Sequence, residues 1–351
     1  MQNEITDILD IKVGYACNNN CLHCVVRPNQ YRVKNFGIED NFRFEEIENL
    51  VKSKPRNMVR KIVVTGGEPS IRNDFPEIIN MIFDYHPDAF VEVQTNGRGL
   101  KKHLPKIVHH ENLSFVIALH GDNEKMHNAV VGTATVTRNP FKETTESIKE
   151  IIRLCGDSHK IIFKIVLNSI NYKHLKDIVE FVVIQYGAKN ISISYPHMDG
   201  FYGVKESEII DFKNFCHPLI AKSDVKNGED IVKIIGFSYS DFLDYLKETM
   251  DFIKTKPDID MSLEAIPLCA FNQNGIHYEI PSNIHLLTNI PEKAEIHYTN
   301  NDINDFHTAW VNMHVHPEEI CSKCKFCCEC CGLWEETYAV FGTEGLVPYT
   351  E

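Results

Sequence analysis

The sequence predicts an α/β fold, a partial (β/α)6 TIM barrel followed by a smaller cysteine-rich C-terminal domain. Three observations carry that expectation: strand-like and helix-like runs alternate over roughly the first 200 residues, the alternation then stops, and cysteines crowd the end of the chain. Strand-like runs cover 8–15, 60–66, 90–95, 114–120, 160–168 and 190–195. Amphipathic stretches at 44–53, 75–85, 141–154 and 172–186 lie between them. Six βα units make a parallel, right-handed array; eight would close a barrel, and six leave it partial. From about residue 199 the pattern changes to helices at 206–222 and 241–255 and short extended pieces at 259–266 and 276–288. The expected division is a barrel core over 1–200, a helical linking region over 201–258 and a cysteine-rich domain over 259–351.

Composition narrows the function. With 351 residues, 43% of them hydrophobic, the chain can bury a large core. No stretch is apolar enough for a membrane span, and the polar start MQNEITD does not read as a signal peptide. Twelve cysteines without an export signal point to thiolate ligands in a reducing cytoplasm. A net charge of −13 argues against a broad nucleic-acid surface, which needs clustered Lys and Arg.

The chemistry concentrates at strand ends. Cys17, Cys21 and Cys24, in the run ACNNNCLHC, occupy the loop that leaves the first strand. Zinc sites normally show four ligands in matched pairs, whereas this unequal triad fits a four-iron cluster with one iron lacking a protein ligand. The second strand run ends in Gly66-Gly67-Glu68-Pro69, whose glycines permit close approach to the backbone. Further polar groups at strand ends are Thr95-Asn96-Gly97, His120-Gly121, Asn168 and Tyr195-Pro196-His197.

On the triad and GGEP together, the chain resembles the radical S-adenosylmethionine (SAM) superfamily. The resemblance implies that Cys17, Cys21 and Cys24 bind a [4Fe-4S] cluster whose open iron takes SAM through its amine and carboxylate. It implies too that Gly66, Gly67, Glu68 and Pro69 line the SAM site. Thr95, Asn96, His120 and Asn168 are the further cofactor-binding candidates, and His120 is the catalytic one. His23 stands where the family usually has Tyr or Phe. Ala118 to Gly132 resembles an S-x-D-G-x5-H-D-x2-R-G pattern of peptide-modifying members, with Ala118, His120, Asn128 and Val131 in place of Ser, Asp, Asp and Arg.

The tail resembles part of a SPASM or twitch auxiliary-cluster signature. Cys321, Cys324 and Cys330 spell C-x2-C-x5-C, with Cys269 as the remote fourth ligand; Trp334 occupies the position where a full signature has its next cysteine. The auxiliary centre is expected to be one [4Fe-4S] cluster, and a zinc knot from the same thiolates is the alternative. Cys327, Cys328 and Cys331 are spares, and Cys155 and Cys216 are expected to be inert buried thiols.

The resemblance implies reductive cleavage of SAM to a 5'-deoxyadenosyl radical that abstracts hydrogen from a substrate, with flavodoxin or ferredoxin as reductant. The expected substrate is a ribosomally made peptide or protein undergoing crosslinking, oxidation or epimerisation. No leader-recognition domain is expected before the first strand. The alternative is a small molecule in cofactor or natural-product biosynthesis, where a molybdenum-cofactor cyclase is disfavoured because Val347-Pro348-Tyr349-Thr350-Glu351 replaces the carboxyl-terminal Gly-Gly. A non-catalytic iron-sulfur or zinc-binding regulator would have no use for GGEP.

Overall fold

The computed structural model describes residues 6–36, 42–273, 276–277, 280–287, 294–297, 302–303 and 306–350. Strands β1 (Thr6–Lys12), β2 (Val59–Thr65), β3 (Phe90–Thr95), β4 (Leu113–Ala118), β5 (Ile161–Val166) and β6 (Asn190–Ser194) lie side by side in chain order, every neighbouring pair parallel. They overlap the six runs marked by the sequence. The helices Phe44–Ser53, Phe75–Tyr85, Pro140–Cys155 and Leu175–Tyr186 follow the amphipathic stretches. Helix Pro140–Cys155 illustrates why. The Asn139 side chain accepts from the Lys142 N–H, Pro140 takes the first helical position, where a donor is not needed, and Thr144, Ser147, Ile148 and Ile151 form the buried face.

Parallel register gives the sheet two unlike faces. Leu9, Ile11, Ile62, Val64, Val91, Val93, Phe115, Ile117, Phe163 and Ile165 are fully buried on one. The register places Asp10, Glu92, Ser114, Lys164, Ser192, Ser194 and Glu264 on the other. A parallel sheet covered on both sides by helices would be apolar on both faces, so this polar face is the inner face of an open barrel.

Further strands widen the sheet. β7 (Asp260–Glu264) is parallel to β6, and β8 (Ile284–Leu287) is parallel to β7. At the opposite side β9 (Ala294–His297) lies parallel to β1, with β10 (Asp302–Ile303) antiparallel outside it. The order is β8-β7-β6-β5-β4-β3-β2-β1-β9-β10. The extended pieces expected at 259–266 and 276–288 thus include two strands of the main sheet, residues 278–279 and 288 lying outside the described residues. β9 has no counterpart in the sequence prediction, since four residues are too few for a period to show.

One buried apolar cluster runs from Leu9 through Phe115 and Met250 to Trp334 and Leu346, so the barrel and the tail share a core. The cysteine-rich segment is closed at its base by pairing of His314–Val315 with Leu333–Trp334. Helix Glu335–Phe341 follows and buries Glu336 and Thr337. Among the described residues no helix is long and apolar enough to cross a membrane.

Candidate cluster and cofactor site

The loop carrying the triad is fixed from several sides. Asn20 and Leu22 N–H donate to the carbonyls of Val131 and Val130 at 2.9 and 3.0 Å, and Asn20 Nδ2 donates to Cys216 O at 2.9 Å. Arg98 is buried; its Nη1 donates to Asn18 O and Asn19 Oδ1, both at 2.6 Å, while its Nε meets Glu143 Oε2 at 2.7 Å. Arg27 Nη2 donates to Asn19 O at 3.2 Å. Two buried guanidiniums therefore hold the loop by its backbone and Asn side chains. The same charges suit an anionic thiolate-bound centre.

All three cysteines are half-buried and unbridged. Cys17 Sγ accepts from the Asn19 N–H at 3.3 Å and from Asn96 Nδ2 at 3.7 Å. Burial pushes the Cys17 thiol up to about 12, with Glu68 and Cys24 adding to it, and pushes Cys21 well above the ordinary thiol range. Thiols this dry ionise only against a cation, and metal binding supplies one. The donor set fits a cluster held by three thiolates.

The end of β2 is pressed against this loop. The Gly67 N–H donates to Gly14 O at 2.7 Å and the Glu68 N–H to Ala16 O at 2.8 Å. A Cβ at Gly66 would stand 2.2 Å from Gly14 O, and one at Gly67 2.2 Å from Ala16 O. The close neighbour that requires glycine here is the backbone leading to Cys17. Glu68 is buried: its Oε1 accepts from the Ser70 N–H at 3.0 Å and from Ser70 Oγ and Thr95 Oγ1 at 2.6 Å, and its Oε2 from the Asn96 N–H at 2.6 Å. Burial raises its carboxyl above the usual range while these four donors oppose the rise. Pro69 opens the 3-10 turn Pro69–Ile71. Glu68, Thr95 and Asn96 are thereby one network across the ends of β2 and β3, and Asn96 continues it to Asn18 Oδ1 at 2.8 Å.

The ends of β4 and β5 contribute a buried histidine group. His120 Nδ1 accepts from the Val166 N–H at 3.3 Å, and the His120 N–H donates to His127 Nδ1 at 3.2 Å. The rings of His120 and His23 meet edge to face at 4.6 Å. Asn168 is fully buried, its Nδ2 3.2 Å from His23 Nδ1. Burial drives both His120 and His127 down to about 3, and His23 well below its ordinary value, so all three are neutral at pH 7. His120 thus reaches the triad loop through His23, and Asn168 braces the same ring.

In the tail, Cys269 is buried and has Cys330, Cys321 and Cys324 as its charge neighbours, which brings the four expected ligands together. Cys330 Sγ accepts from the N–H groups of Leu268 and Gly332 at 3.4 and 3.5 Å, and these donors with the Cys331 thiol hold it below the ordinary thiol range. Cys331 is buried and donates to Gly332 O at 3.4 Å. Of this adjacent pair, Cys330 is the one that favours a thiolate.

Several site residues escaped the sequence. Arg98 follows Asn96 closely, yet its partners Asn18, Glu143 and Thr133 are distant in the chain. On the inner face Lys164 Nζ bonds Ser192 Oγ at 3.1 Å and pairs with Glu264, whose carboxyl that cation holds below the usual range. His197, which the sequence does mark at the end of β6, stacks on Trp334 at 4.2 Å, a contact with the tail that the sequence does not show.

The radical SAM superfamily model matches residues 11–182, the span that holds the end of β1, the triad, GGEP and β2 to β5. A GTP 3',8-cyclase of Sulfurimonas denitrificans is 38% identical over 104 residues, which are 29% of this chain and 31% of that protein. The GTP 3',8-cyclase of Aliarcobacter butzleri is 25% identical over 248 residues, 69% of this chain and 66% of that protein. The chain therefore spans less than two thirds of the length of either relative. Among solved structures, anSMEcpe with bound AdoMet and Cp18Cys peptide has a TM-score of 0.60 at 14% identity, covering 98% of this chain and 92% of that one. The likeness at that identity is one of fold. Residues 11–182 thus carry a radical SAM domain with this motif set, and enzymes of that superfamily use a [4Fe-4S] cluster and SAM.

Proposed function

We propose that the protein modifies a ribosomally made peptide or protein by hydrogen abstraction, introducing a crosslink, an oxidation or an epimerised centre. The observation that carries this reading is that the likeness to peptide-bound anSMEcpe extends through the cysteine-rich tail as well as the barrel, over 98% of the chain. The reduced cluster and SAM, when bound, supply a radical able to take hydrogen from an unactivated carbon. Cys17, Cys21 and Cys24 are its protein ligands. Gly66, Gly67, Glu68 and Pro69 shape the SAM site, and the Glu68 network fixes Thr95 and Asn96 at its edge. Asn168 and His120 act on the opposite side through His23, where His120 is a neutral ring that excludes water and does not exchange protons at pH 7. The paired charges of Lys164 and Glu264 on the inner face offer a substrate amide or ion both a donor and an acceptor. Of the four expected ligands, Cys269, Cys324 and Cys330, with Cys321 beside them, hold an auxiliary cluster, and the His197–Trp334 contact ties its segment to the mouth of the barrel.

A second reading, a small-molecule substrate, is favoured by the sequence relatives that are named GTP 3',8-cyclase. Anaerobic reconstitution followed by SAM-cleavage assays separates the two. The peptide reading expects about eight irons per chain and a mass change in a candidate peptide coupled to 5'-deoxyadenosine formation, with GTP unchanged. Consumption of GTP in step with SAM cleavage would transfer the chain to the second reading.

A further inference from the structure

The tail holds a second ligand group, which shares Cys321 with the four ligands expected of the auxiliary cluster. His316, Cys321 and Cys327 bring one ring nitrogen and two sulfurs within 4.8 Å of one another, and Cys327 Sγ lies 3.8 Å from His316 Nδ1. Ligands of a single tetrahedral zinc, at about 2.3 Å for sulfur and about 2.0 Å for nitrogen, stand roughly 3.5–3.8 Å apart. Thiolates on a cubane each take a different iron and are spread more widely. Among the described residues no other group of three His, Cys, Asp or Glu side chains reaches this spacing.

Local structure supports the same division. All three residues belong to one loop, whose two ends are paired as His314–Val315 against Leu333–Trp334, whereas Cys269 enters from outside it. Pairing at the base of a short loop is how a zinc knuckle is framed. The ring of His316 packs on Gly332: a Cβ there would lie 3.2 Å from its Cε1 and Nε2, so the absence of a side chain at 332 sets where the imidazole sits. His316 is exposed and Cys327 half-buried, which leaves the fourth position open to solvent.

We propose that His316, Cys321 and Cys327 bind one mononuclear zinc ion, separate from the auxiliary cluster, which keeps Cys269, Cys324 and Cys330. Binding is not a redox step: Zn2+ displaces one proton from each of two thiols, the neutral imidazole donates a lone pair, and water fills the fourth position. The proposal rests on the auxiliary cluster of the preceding section only for the division of cysteines.

Metal analysis of the full chain, isolated anaerobically and exposed to zinc, tests it. The expected result is about one zinc per chain in addition to iron. His316→Ala and Cys327→Ala should each weaken zinc retention by more than about tenfold while keeping the iron content of the parent, and that unchanged iron also reports correct folding. Cys321→Ser should behave in the same way. Absence of zinc from the parent would overturn the site, as would loss of iron instead of zinc in the His316 or Cys327 variant, or loss of about four irons in Cys321→Ser. The paired variant Cys324→Ala/Cys330→Ala reports separately on the auxiliary cluster: full iron content there defeats the cluster reading, while the zinc count still decides this one.

Discussion

At the scale of single residues, burial sets the protonation of the polar groups that tie the barrel to the tail. Glu336 accepts from the Met198 N–H at 2.6 Å and is 1% exposed. Burial, with the nearby carboxylates of Asp199 and Glu335 adding, raises its pKa from 4.5 to about 7. Below pH 4.5 the group is protonated in both the folded and unfolded chains and stability does not depend on it. Between 4.5 and about 7 the unfolded chain ionises this group while the folded chain keeps it protonated, so stability falls with rising pH, by up to about 3 kcal/mol once the buried carboxylate is charged above 7. Glu336→Gln keeps the acceptor for Met198 and removes the charge. Anaerobic denaturant titration should find this variant more stable than the parent at pH 8.5 and equal to it near pH 4.5; equal stability at both would refute the account. His120 and His127 make the opposite case. Held near 3, they stay neutral across the working range, so their NMR titration curves should be flat between pH 5 and 9. Glu68 is more consequential than either, because Glu68→Ala orphans donors of Ser70, Thr95 and Asn96 at once. Its expected cost is about 3 kcal/mol or more in denaturant unfolding.

At the scale of elements, the triad loop and the end of β2 work as one unit. Gly67→Ala would place a carbon 2.2 Å from the Ala16 carbonyl, so β2 must withdraw from the loop that carries Cys17. The variant should lose about four irons in anaerobic reconstitution and with them SAM cleavage, even though residue 67 is not a ligand. Retention of full iron would show that the loop holds its shape without that contact. The same unit marks the boundary of what the sequence makes legible. Strands β1 to β6 and the triad were readable because apolar periodicity and short cysteine spacing are local signals. Arg98 was not, since its importance arises from Asn18 and Glu143 meeting it across long stretches of chain. His316 was hidden for a related reason, being one histidine among seventeen until folding set it beside Cys327. Helix Arg27–Phe36, RPNQYRVKNF, lacks an apolar stripe, and its attachment to the site includes Arg27 Nη2 donating to Asn19 O at 3.2 Å and Gln30 Nε2 donating to Tyr15 O at 2.6 Å.

At the scale of the whole molecule, the sheet makes the barrel depend on the last third of the chain. β1 carries the loop with Cys17, Cys21 and Cys24, and it is flanked by β2 on one side and by β9, Ala294–His297, on the other. Lys54 Nζ reinforces the join through its ion pair with Glu295. At the far side β7 covers β6. A chain cut after residue 258 would retain the whole family signature yet expose both of these strands, with unpaired N–H and C=O groups along each and the buried faces of Leu263, Ile284 and Ile296 removed from the core. Exposed apolar edge strands invite pairing with other chains. The 1–258 fragment should therefore be recovered as aggregate, and its soluble part should bind less than the four irons expected of the triad, by size-exclusion chromatography and iron analysis. A monomeric fragment with four irons and intact SAM cleavage would mean that β9 and β7 are additions to a self-sufficient barrel. The register argues otherwise: β9 pairs along Ile8 to Ile11 of the strand that leads to Cys17, so the C-terminal region braces the strand from which the triad loop departs.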